Sequence, residues 1–197
     1  MRKGEATREV IIQKSAELFN KFGYDGCSLK DIMDATNLKK GGIYNHFNNK
    51  DEIALAAFDY SYKKVLSRFR QRLDKDRTAR QKLNSIIEVF ESFCYDPVIS
   101  GGCPIFNSAI DSIDSHPVLR AKAVEAVNTL HQYIIIKLEE GKKSGEFKPE
   151  VKSEELATLF MSTLEGALIM SRACQQNKHM TFAVRFLRNY MENEIFS

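Results

Sequence analysis

Apolar residues along this chain recur every three to four positions, and no alternating run longer than a few residues appears. From Thr7 to Phe22 the rhythm is carried by Val10, Ile11, Ala16, Leu18, Phe19 and Phe22, and Gly23 is expected to stop that helix. Tyr24-Asp25-Gly26 is turn chemistry. Ser28 stands three residues before Asp31, a capping-box-like start with Asp in place of Glu or Gln, and Leu29, Ile32, Met33 and Ala35 supply the apolar side of a second helix. Asn37-Leu38 breaks it, and Lys39 to Phe47 follows as a third, short helix anchored by Ile43 and Phe47, four residues apart. Beyond this head the pattern predicts helices over Asp51 to about Lys75, Thr78 to Tyr95, Ile105 to about Ile113, Pro117 to about Lys143, Ser153 (as cap) to about Gln176, and Phe182 to Ile195. Asp96-Pro97, the Ser100–Pro104 loop and Gly145–Pro149 separate them. The expected architecture is all-α: a three-helix head and a helical body.

The third helix has an unusual composition. Lys39, Lys40, Gly41, Gly42, Tyr44, Asn45 and His46 crowd about two turns, with Asn48, Asn49 and Lys50 just after. Nearly every outward group donates hydrogen bonds. Two glycines each cost about 1 kcal/mol relative to alanine in an ordinary surface helix. They make sense where a large surface must approach the backbone closely, and a wall of phosphates is such a surface. Two helices joined by a tight turn, the second polar and basic, read as a helix-turn-helix.

On these residues the resemblance to a known family is plain. Ala16, Leu18-Phe19, Gly23-Tyr24, Ser28, Ile32, Leu38, Lys40-Gly41-Gly42-Ile43-Tyr44, His46-Phe47, Lys50 and Glu52, in that order and spacing, resemble the N-terminal domain of the TetR family of bacterial transcriptional repressors. The match covers residues 7–58. It departs at Asp34-Ala35-Thr36-Asn37, where the family more often has Ala-Gly, but Asn also tolerates a left-handed conformation.

The resemblance implies an N-terminal helix-turn-helix domain over residues 1–50 and a C-terminal effector-binding and dimerisation domain over residues 51–197. It implies a homodimer on a palindromic double-stranded operator, a repressor by family default, released by a small-molecule effector. Tyr44 and His46 match family residues that contact the DNA backbone, and Lys30 matches a base-contacting position. Lys40 can donate to guanine, Asn45 can pair with adenine, and Lys50 lies where it can meet a phosphate. The expected DNA-binding set is Ser28, Lys30, Lys39, Lys40, Gly41, Gly42, Tyr44, Asn45, His46 and Lys50.

Charge agrees with a head that meets a polyanion. Residues 1–50 hold nine Lys/Arg against six Asp/Glu, whereas the remainder holds twenty of each, so the net charge of +3 sits in the head. A hydrophobic content of 43% excludes disorder. No apolar run reaches membrane-span length, and Met1-Arg2-Lys3 leads into polar sequence, so a soluble, cytoplasmic protein is expected. Cys27, Cys94, Cys103 and Cys174 lie far apart without metal-ligand spacing, and no cofactor or metal is implied.

Two helices bear on assembly. Leu156 to Met170 is apolar on all sides, which calls for burial on both faces: against its own core and against a second subunit, or wholly within one core. The last helix, with Phe182, Phe186, Leu187, Tyr190 and Met191, can complete a dimer surface, as in the four-helix interface typical of the family. For the effector, the candidates are Phe90, Phe93, Cys94, Cys103, Phe106, Asn107, Met161, Glu165 and Met170, any apolar member of which could equally be core. Asn107 and Glu165 need polar partners. Cys103, after Gly101-Gly102 and before Pro104, is expected to be accessible at a helix N-terminus; it is either a thiol sensor with Cys94 as resolving partner or a small gap filler. Cys27 and Cys174 read as core fillers.

Enzyme chemistry finds little support. Ser112, Asp114, Ser115 and His116 contain the letters of a hydrolytic triad, but adjacency in sequence is the wrong geometry, and Ser115 reads better as a helix cap. No phosphate-binding glycine loop or dinucleotide fingerprint occurs, and His131 and His179 are isolated.

Overall fold

The computed structural model describes residues 3–197, which form nine α-helices. In the head, α1 is Lys3–Gly26, α2 is Leu29–Thr36 and α3 is Lys40–Tyr44. In the body, α4 is Lys50–Leu73, α5 Ala79–Ser92, α6 Pro104–Asp111, α7 Pro117–Lys143, α8 Ser153–Ala173 and α9 Lys178–Tyr190, closed by a π turn, Met191–Ile195. Among the described residues β structure is confined to one isolated bridge, Phe147 with Phe196.

Local chemistry accounts for most of the boundaries. Ser28 and Asp31 form the expected capping box: the Asp31 N–H donates to the Ser28 hydroxyl at 3.2 Å, and the Ser28 N–H donates back to the Asp31 carboxylate at 2.7 Å. Asn37 ends α2 in the left-handed region at φ 55°, as the turn requires. Thr78 and Gln81 form a second capping box, and Pro117 opens α7 at its first turn.

Gly23, at φ 76° and ψ 172°, is non-helical and breaks the first helix where the pattern places its end; a short turn over residues 24–26 follows beyond the kink. A side chain at 23 would collide with the carboxylate of Asp111 on α6, so glycine there satisfies both the backbone and a close approach. Ser153 is the first residue of α8, not its cap; its hydroxyl donates to Glu139 instead. At the start of α7 the cap is His116, whose Nδ1 accepts the Leu119 N–H at 3.1 Å, while the Ser115 hydroxyl donates to the carbonyl of Asp111.

The chain packs as two compact units, with boundaries inside α4 and α7. One comprises residues up to Val65 with Val98–Ala126; the other comprises Leu66–Pro97 with Val127–Ser197. In the first, Ile11, Cys27, Ile32, Ile43, Phe47 and Ile53 form a small core beneath the helix-turn-helix. In the second, Phe69, Phe90 and Phe93 meet edge-to-face at ring separations of 6.0 and 5.9 Å, and Phe160, Leu164, Val184 and Leu187 are buried from α8 and α9.

Candidate nucleic-acid interface

The third helix is five residues long and buries only Ile43; Phe47, just beyond its end, is buried with it. So short a helix has almost no stability of its own and is held by these two anchors. Around them Lys30, Lys39, Lys40, Gly41, Tyr44 and Asn45 are exposed, and Gly42, His46 and Lys50 are half-buried. The structure therefore brings the expected residues to the exterior of α2, α3 and the start of α4. Ser28 is exposed as well, but its hydroxyl is bonded to Asp31 at 2.6 Å and serves the cap. That bond, with the Ser28 N–H, holds the Asp31 carboxyl below the usual carboxylate range.

Gly41 decides why this helix carries glycine. A Cβ built there meets nothing within 4 Å, and one at Gly42 makes only ordinary contact with Leu38, at 3.5 Å. Neither has a left-handed backbone. The protein's own packing thus leaves room for a side chain at both positions.

Three cations here lie over aromatic faces. The Lys40 ammonium lies 5.6 Å from the Tyr44 ring centre, and the Lys50 ammonium 4.1 Å from that of Tyr24. Arg8 lies 4.7 Å from the centre of the Phe47 ring. Lys50 opens α4, whose cap is Asn49: its carboxamide accepts the Glu52 N–H at 2.8 Å, and the Glu52 carboxylate accepts the Asn48 side chain at 2.8 Å and the Asn48 N–H at 2.9 Å. Those bonds lower the Glu52 pKa, the Asn48 side chain contributing most. The sequence reading missed this cap, although Asn three residues before Glu is its signature, and it took Tyr24 as turn chemistry and a family match without seeing its contact with Lys50.

Sequence profiles agree with this geometry. Residues 11–57 match the family described as bacterial regulatory proteins, tetR family, and residues 79–187 match the tetracyclin repressor-like C-terminal domain. A TetR transcriptional regulator from Chloroflexus aurantiacus J-10-FL superposes with a TM-score of 0.95 at 38% identity, over 100% of this chain and 99% of that one. This chain belongs to the TetR family of bacterial transcriptional regulators. A TetR-family regulator from Cytophaga hutchinsonii is also similar, with a TM-score of 0.87 at 32% identity over 98% of this chain and 96% of that one. The HTH-type transcriptional repressor AcnR of Corynebacterium glutamicum shares 24% identity over 81% of this chain and 79% of its own. As a TetR-family member the protein is a DNA-binding regulator and not an enzyme, and no helix among the described residues is long and apolar enough to cross a membrane.

The residues expected around an effector fall on both compact units of this regulator. In one, Phe90, Phe93, Met161 and Glu165 are buried, Cys94 is half-buried, and Met170 is exposed. In the other, Phe106 and Asn107 are half-buried and Cys103 is buried. Asn107 has its polar partners within the protein: its side chain donates to the Gly101 carbonyl at 2.8 Å and to the Asn20 side chain at 2.8 Å. Cys103 was expected to be accessible, but it is only 2% exposed, because it caps α6 with its side chain turned inward. Cys174, expected in the core, is exposed. Burial pushes up the thiol pKa of Cys94, and that of Cys27 to about 11.

Proposed function

We propose that the protein is a dimeric repressor that binds a palindromic operator through α2 and α3 and leaves it when a small molecule enters the body, with residues 1–50 reading DNA and 51–197 sensing and dimerising. The observation that carries this reading is the exposed, donor-rich surface of α3, whose Gly41 faces open space. Lys40, Asn45 and Lys30 read bases in this scheme, while Tyr44, His46, Lys39 and Lys50 hold the backbone and set register. Repression is favoured by the likeness to AcnR.

Dimerisation is supported by an apolar stripe that the chain leaves uncovered. Leu159, Ile169 and Met170 on α8 are 56, 44 and 52% exposed, and Phe182 and Phe186 on α9 are 51 and 60% exposed. Phe186 stacks on Tyr190 at 6.1 Å in the same row. So many large apolar side chains exposed on two neighbouring helices favour a protein interface. Two-fold pairing would place two recognition helices about 34–36 Å apart, one duplex turn. An effector that lowers operator affinity 100-fold must favour the other spacing by about 2.7 kcal/mol.

Gel-shift titration against DNA upstream of the protein's own gene tests the reading. A sequence-specific complex with two subunits per duplex is expected, and Phe186→Glu should yield a monomer that binds the duplex poorly. Equal binding to any duplex, or an unchanged oligomer in Phe186→Glu, would refute it. The alternative trigger, thiol chemistry at Cys103, is disfavoured by that side chain's burial. A Cys103→Ser protein should bind and release DNA as the parent does.

A further inference from the structure

Tyr24 is not among the expected DNA contacts, yet it ties the end of α1 to α6 and to the start of α4. Its backbone N–H donates to the Asp111 carboxylate on α6, and its hydroxyl donates to Asp51 in the first turn of α4. His116 meets the ring edge-on at 4.8 Å, and Phe19 stacks beside it at 6.0 Å. Burial, followed by the bond to Asp51, raises the phenol pKa, so the hydroxyl stays a donor at every working pH. The ring is thus held by its backbone, its edge and its hydroxyl. On its face rests the Lys50 ammonium, 4.1 Å from the centroid.

A lysine on a free four-carbon stem loses rotamer freedom when it takes up a phosphate. One already seated on a rigid aromatic face has lost most of that freedom before DNA arrives, and the contact gains accordingly. We infer that Tyr24 is a positioning residue for DNA binding, which seats the Lys50 ammonium on its ring at the start of α4, ready for a backbone phosphate. This rests on the DNA reading above.

The inference makes Tyr24 act through Lys50 alone, which a double-mutant cycle separates from a general loss of fold. Binding of a labelled duplex from upstream of the protein's own gene, and of a random-sequence duplex, is measured for the parent, Tyr24→Phe, Tyr24→Leu, Lys50→Ala and Tyr24→Leu/Lys50→Ala. Tyr24→Leu should weaken both duplexes about fivefold per head, the scale of a cation–π contact. Tyr24→Phe keeps the ring and should retain most of the affinity. In the Lys50→Ala background, Tyr24→Leu should cost no further affinity. An equal loss in both backgrounds would overturn the inference and make Tyr24 a packing residue. The parent protein supplies a measurement independent of any variant's folding: the Lys50 Hε protons should be shifted upfield by the Tyr24 ring relative to exposed lysines, and their absence from that region would also overturn it. If the parent shows no salt-dependent binding to either duplex, the DNA reading fails and this inference with it. If the parent binds and the cycle is additive, this inference alone fails.

Discussion

Replacing Gly41 by Ala separates the needs of the fold from those of the interface. A methyl group at this position meets no atom of the protein within 4 Å, and the backbone is helical, so no strain or clash opposes it. The substitution removes conformations from the unfolded chain and should stabilise the protein by about 0.4–1 kcal/mol. For a chain of this size that corresponds to a Tm rise of about 1–4 °C. At the DNA surface the same methyl enters a tightly packed contact, and overpacking there costs about 1–3 kcal/mol per head. With two heads on the operator the affinity should therefore fall at least about thirtyfold while Tm rises. Circular dichroism melts and fluorescence anisotropy on the same preparation measure both quantities. A fall in Tm would show that the space around Gly41 is not open. A rise in Tm with unchanged operator affinity would refute the claim that glycine serves close approach of DNA.

Ile43→Ala should do the reverse, costing about 2–5 kcal/mol of stability because Ile43 is fully buried and is the one residue that α3 itself buries; faster amide exchange at Gly42 and Asn45 should accompany the lower melting point. Lys40→Ala should cost about 1–3 kcal/mol on the operator and less on random DNA, and equal losses would make Lys40 a phosphate contact. Thiol labelling of the native protein should mark Cys174 first, Cys94 more slowly, and Cys27 and Cys103 only on unfolding; prompt modification of Cys103 would reopen the sensor reading. Because Asp31 has a lowered pKa in the folded protein, its contribution is present above the ordinary carboxylate pKa of about 4 and is lost as pH falls through the folded value. The melting difference between the parent and Asp31→Asn should therefore hold steady near neutral pH and vanish in acid.

The elements that could be read from the chain are those whose causes lie within a few residues. The Ser28–Asp31 cap, the left-handed Asn37, the start of α7 at Pro117 and the Ile43–Phe47 pair are all set by neighbours in sequence, and all stand where the pattern places them. The polar surface of α3 was equally legible, because exposed donors beside two glycines have no use inside a protein. What only the tertiary structure decided turns mostly on partners far apart in sequence. Gly23 ends the first helix as the pattern indicates, but only packing shows that Asp111 lies against the break and leaves no room for a side chain there. Asn107 finds its partners in Asn20 and Gly101, so its polarity is spent within the fold. Cys103 is buried although glycines precede it, since local flexibility does not determine which way a cap residue's side chain turns. Tyr24 reads locally as a turn residue, and only packing reveals it as the seat of Lys50, because a cation–π contact across 26 positions leaves no periodicity in the sequence.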